Sequence, residues 1–129
     1  MEYFIYNNPH PKGKKVNDCV KRAIALATRK DYVEVQRELN RTKNLLGCKS
    51  FKDPKNCKYY IEKVLKGIKI SFPASRGQSR MTGLEFAINN PTGTYILRMA
   101  KHLSCCIDGK INDTWDCSHK CVYNAWEIK

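Results

Sequence analysis

The chain has 129 residues, 42% of them hydrophobic and 10% aromatic, with 24 Lys and Arg against 12 Asp and Glu. That composition excludes a disordered polyelectrolyte. No apolar run approaches the roughly 18 residues of a membrane-crossing helix, so no membrane partner is expected.

The net charge of +12 draws polyanions at long range. The lysines are scattered along the whole chain, however, which favours general surface charge over a dedicated nucleic-acid site. The length suggests one domain over residues 1–129, large enough to bury about two-thirds of its unfolded surface. Seven cysteines is an odd number, and "MEYFIYNNPHPKGKK" has no basic stretch followed by an apolar one, so no secretion signal is expected. Reduced thiols in a cytoplasmic protein follow as the expectation.

In chain order, Tyr3 to Tyr6 read as a short strand, and Asn7 to Lys15 as a loop with two prolines and Gly13. Asn17 or Asp18 caps a first helix running to Ala27, whose Val20, Ala23, Ile24 and Ala27 form an apolar stripe. Asp31 caps a second, about 32–43. Asp53 and Pro54 open a third, reaching about Lys66, with Gly67 ending it. "IKISF" is a short strand and "PASRGQSR" an exposed basic loop. Thr82 and Glu85 form a capping box before a short helix. "TYILRM", "HLSCCI" and "CVYNAWEI" read as strands, and "DGK" as a tight hairpin turn followed by "INDTWD". Helices in front and strands behind make an α+β pattern, with N-terminal helices packed on a C-terminal antiparallel sheet.

The chemistry begins at "VNDCVKRAIALA". A thiol in the first turn of a helix sits at the positive end of the macrodipole, which favours its thiolate. A nucleophilic thiol also needs a base and a group that orients the base. Of the three histidines, His10 lies in a Pro-flanked loop and His119 in the polar turn "DCSHKC". His102 opens an apolar strand and is held rigidly. The hairpin after it folds Asn112 and Asp113 back beside that strand, making Asp113 the expected orienter and Asp116 its rival. Trp115 is placed to shield the pair from water.

The order of Cys19, His102 and Asp113, with "NDC" leading into "RAIALA" and the later "GTYIL…KHLSCCIDGKINDTWD", resembles the papain-like cysteine proteases. It is most similar to their short bacterial and phage versions and to bacteriocin-processing peptidase domains. The resemblance covers about residues 16–32 and 82–128; the stretch 40–80 carries none of it. It implies a papain-like fold and a cofactor-free hydrolase acting on a protein or peptide, with Cys19 as nucleophile, His102 as base and Asp113 as orienter. The family commonly carries a Gln six residues before the Cys, as an oxyanion donor. Gly13 stands there in this chain. The Cys19 backbone N–H and the Asn17 side chain are the substitute donors, with Asp18 and Trp115 as further substrate-side candidates.

Blander readings compete with these. Free Cys is among the most buried residue types, so Cys19 can be simple core. Cys105 and Cys106 alternate in a strand and read as packing. "CSHKC" offers Cys117, His119 and Cys121 as zinc ligands, but the set needs distant Cys48 or Cys57 to complete it; no metal is expected. Arg76, Arg80 and Lys101 can line a groove for an acidic substrate or nucleic acid, and Lys101 would depress the pKa of its neighbour His102. The rival from another class is a non-catalytic basic module on the same fold.

Overall fold

The computed structural model describes residues 2–72 and 80–129. The expected basic loop, including Arg76, falls largely on 73–79 and lies outside the described residues. Four α-helices and six strands follow in the order β1 (Phe4–Tyr6), α1 (Cys19–Thr28), α2 (Tyr32–Leu46), α3 (Pro54–Tyr59), β2 (Ile68–Ser71), α4 (Gly83–Asn89), β3 (Thr94–Met99), β4 (His102–Ile107), β5 (Lys110–Asp113) and β6 (Val122–Ile128). The class is α+β.

The sheet order is β1-β5-β4-β3-β6-β2. β3 lies at the heart of it, antiparallel to β4 and β6. The sheet is mixed rather than antiparallel throughout, because β1 joins β5 in parallel, and it is not wholly C-terminal, because β1 and β2 precede most of it. Three residues of β1 are too few for a pattern to specify a partner; the pairing is decided by the tertiary contacts around Tyr3 and Phe4.

Both sheet faces are covered. On one, Ile24 of α1, Val35 and Leu39 of α2, and Tyr60 and Ile61 pack against Ile96, Leu103, Cys105 and Trp126. On the other, Phe86 and Ala87 of α4 pack against Tyr95, Leu97, Met99, Cys106 and Val122. Cys105 and Cys106 thus enter opposite cores, as strand alternation requires. Burying a side chain such as Ile24 contributes about 1.5–3 kcal/mol, so these faces hold α1 in place.

The third helix departs from expectation at its end. After Tyr59 the backbone widens to a π-helical turn over Tyr60–Val64. Lys66, not Gly67, takes the left-handed conformation (φ 61°). Gly67 is needed for another reason: a Cβ there would come within 3.0 Å of the Ile61 side chain. Asp108 and Gly109 both have positive φ, which is the primed turn that joins β4 to β5. That hairpin pairs Cys105 with Asn112 and Ile107 with Lys110. It therefore returns Asp113 to the end of the sheet where His102 begins.

Candidate active site

Cys19 is the first residue of α1, half-buried, and lines an open cavity of about 440 Å³. His102 lines the same cavity, with Asn17, Leu103 and Trp126. Its Nε2 lies 2.7 Å from Asp113 Oδ2. With Nε2 committed to Asp113, Nδ1 is the nitrogen left to exchange a proton with Cys19, which lies close enough that each group shifts the other's titration. Three residues from three elements thus meet at one end of the sheet.

Asp113 is 2% exposed, and both its oxygens are occupied. Oδ2 also accepts from Ser104 Oγ at 2.7 Å. Oδ1 accepts from the Thr114 backbone N–H at 2.7 Å and from Arg22 Nη2 at 3.3 Å. Burial works against the Asp113 charge, but the contacts with His102 and Ser104 outweigh it and hold the carboxyl below its ordinary range. Burial likewise opposes a charged His102. The hydrogen bond to Asp113, with the nearby Cys117 and Cys19 sulfurs, outweighs that and raises it to about 11. Lys101 beside it is exposed and does not reverse this; the expected depression is corrected to a rise.

Burial also pushes the Cys19 thiol up, yet the neighbouring His102 ring, the Leu103 backbone and the charges of His102 and Arg22 bring it below the ordinary thiol value. Burial drives Cys57 and Cys106 the other way, to about 12. A lowered thiol beside a raised imidazole favours a thiolate–imidazolium pair, the nucleophile and proton donor in one unit.

Asp18 takes a role other than the expected substrate-side one. It is 2% exposed and makes no side-chain cap bond to α1. Its Oδ1 pairs with Arg22 Nη1 and its Oδ2 accepts from Tyr32 Oη at 2.6 Å. Arg22 therefore bridges two buried carboxylates, Asp18 and Asp113. Asn17 is exposed and lines the cavity, where its amide is available to a ligand. The Trp115 ring lies 4.9 Å from the His102 ring and covers one face of it.

Asp113 rather than Asp116 meets the imidazole. Asp116 instead accepts from the Ser118 backbone N–H in its own turn. The "CSHKC" residues scatter: Cys121 is exposed, His119 stacks toward Trp115, and Cys117 is buried against Ser104 and Asp113. Metal-ligating atoms gather instead at His102, Asp113 and Cys117, all within 4.8 Å of one another, but Asp113 Oδ2 there already serves His102 and Ser104.

Sequence reasoning missed Ser104, Arg22 and Tyr32, and took Cys117 only as a zinc candidate. Arg22 carried a signal, being, with Lys21, one of two adjacent charged residues in an otherwise largely apolar helix and standing four residues after Asp18. Ser104 carried a weaker one, the polar residue of an apolar strand. No protein-family model, curated protein or solved structure matches the chain.

Proposed function

We propose that the protein is a papain-like thiol hydrolase that cleaves a peptide or side-chain amide bond through Cys19, His102 and Asp113. The observation that carries this is the convergence itself. A thiol at a helix N-terminus lines one cavity with an imidazole that lowers its pKa, and a nitrogen of that imidazole is 2.7 Å from a buried carboxylate.

The Cys19 thiolate attacks the acyl carbon, forming a C–S bond and a tetrahedral oxyanion. First-turn N–H groups of α1 have no intrahelical partner, so the Cys19 N–H is free to donate to that oxygen, and Asn17 supplies the second donor. As the C–N bond breaks, the His102 imidazolium gives its proton to the departing amine. Water then attacks the thioester, His102 takes the water's proton, and the C–S bond breaks to release the carboxylic acid and the thiolate. Asp113 holds the ring throughout and stabilises its charged form. Arg22 and Ser104 position Asp113 and touch no reacting atom.

An electrophilic peptide probe, read by peptide mapping, tests this. Labelling is expected at Cys19 ahead of the other six cysteines, lost in Cys19→Ala and strongly slowed in His102→Ala. Equal labelling of several cysteines, unaffected by His102→Ala, would refute the hydrolase reading and leave the basic binding module.

A further inference from the structure

We infer that the ligand of this cleft is an acidic peptide, whose carboxylates are held by a ring of cations around Cys19; the inference rests on the thiol-hydrolase reading for the identity of the reacting group. The cavity at Cys19 is lined by Lys52, Lys58, Lys69, Arg98 and Lys101, and no Asp or Glu shares its lining. These cations come from separate places: Lys52 from the turn before α3, Lys58 from α3 itself, Lys69 from β2, Arg98 from β3 and Lys101 from the turn before His102. Scattered lysines in the sequence thus become one patch in the fold. Among the described residues none of them has a carboxylate partner; the ion pairs belong to Arg22, Lys30, His102 and Lys129. Glu62 takes the Trp126 indole N–H and is not in the lining.

The cleft also continues beyond the thiol. A second cavity of about 460 Å³ shares Lys69, Arg98 and Asn124 with the first and adds Ser71, Arg80 and Tyr123. Here the groups are built to receive an anion. The Arg80 and Arg98 guanidinium groups sit 4.7 and 5.1 Å from the Tyr123 ring centre, and Arg98 Nε donates to Asn124 Oδ1 at 2.8 Å. A guanidinium fixed by stacking and one hydrogen bond presents its remaining N–H fork to a carboxylate at little further ordering cost. Asn124 is only 4% exposed, and its Nδ2 has no hydrogen-bond partner among the described residues. Asn124 Oδ1 holds Arg98 Nε, so the exposed guanidinium, not the buried amide nitrogen, is what meets a carboxylate.

A peptide fits better than a nucleic acid. A nucleophilic thiol needs an acyl carbon, which a peptide carries beside its acidic side chains. Single-stranded nucleic acids are held mainly by aromatic platforms on which bases stack. The aromatics in this cleft are otherwise engaged: Trp126 is 3% exposed, Tyr123 is occupied by two guanidinium groups, and Phe72 packs edge-on against Phe86 of the core.

The test measures binding to the Cys19→Ala protein by fluorescence anisotropy. Its probes are a Glu- and Asp-rich decapeptide, the same peptide with Gln and Asn, and a short single-stranded oligonucleotide. The acidic peptide is expected to bind at least tenfold more tightly than its amide form, and to weaken as salt rises. Lys69→Gln with Arg98→Gln should lower its affinity roughly tenfold, at a few-fold per charge pair. Lys43→Gln with Lys110→Gln, equal in charge but outside the cleft lining, should leave it within about twofold. Equal binding of the two peptides, equal loss in both double variants, or tighter oligonucleotide binding would each overturn the inference. The outcome is separable from that of the hydrolase reading. Cleavage of peptides without acidic preference would sink only the acidic-ligand inference, whereas acidic-peptide binding by a protein that never labels at Cys19 would sink only the hydrolase.

Discussion

Two helices of this protein begin with the same residue type and use it in opposite ways. At α2, Asp31 turns its carboxylate onto the backbone and accepts from the Val33 and Glu34 N–H groups. At α1, Asp18 occupies the corresponding position but makes no such bond. Its carboxylate is drawn away by Arg22 and Tyr32. Asp53 and Thr82 cap α3 and α4 as Asp31 caps α2, so among the described α-helices only α1 has an N-terminus without a side-chain cap. The difference teaches what the α1 end is for. An aspartate folded over its first turn would neutralise the local positive potential that favours a thiolate. Held instead by Arg22, it leaves the first-turn N–H groups and Cys19 facing the cavity. The same guanidinium extends to Asp113, tying the helix end to the orienter of His102.

The comparison can be broken most sharply at the two aspartates. Asp18→Ala should destabilise the fold by about 3–5 kcal/mol, because it leaves the buried Arg22 charge with Asp113 as its only carboxylate. Asp31→Ala should cost about 1 kcal/mol, the usual loss of a helix cap. Denaturant unfolding of the two variants reads the difference; equal costs would mean that Asp18 is an ordinary cap after all. Between these falls Tyr32→Phe. It removes the hydroxyl that donates to Asp18 and should cost about 1.5–3 kcal/mol, as for a hydrogen bond to a charged group.

A test of direction rather than size lies in the pH dependence of stability. His102 is raised from its ordinary value of 6.5 to about 11, so its stabilising contribution is full below about 6.5 and fades as pH climbs toward about 11. The stability gap between the parent protein and His102→Ala should therefore narrow between pH 6 and pH 10. A gap that widens over that range would mean the imidazole is held neutral.

The long elements were legible because each carried its own signal. Asp31, Asp53 with Pro54, and the Thr82–Glu85 box marked helix starts that the structure keeps. Turn chemistry at Asp108 and Gly109 fixed a hairpin, and the hairpin alone brings Asp113 back to His102. Asp18 was legible as a helix-start residue but not in its role, since a capping aspartate and a salt-bridged one look identical in the sequence until the partner's direction is known. Cys117 followed the same logic. Its spacing to His119 and Cys121 implied a local cluster, whereas a buried position against Ser104 and Asp113 was available only once the sheet had closed. The cation ring was hidden for a related reason: its members are far apart in the chain, and only folding gathers them.

The central claim is that His102 favours the thiolate of Cys19, whereas burial pushes Cys57, Cys105 and Cys106 the other way. Measuring the rate of Cys19 alkylation by iodoacetamide against pH, by peptide mapping, tests it most directly. The rate should reach its plateau at a lower pH than an ordinary thiol does, and His102→Ala should move the climb of about tenfold per pH unit back up toward 8.5. A parent-protein rate that climbs through that same range, unchanged by His102→Ala, would contradict the account.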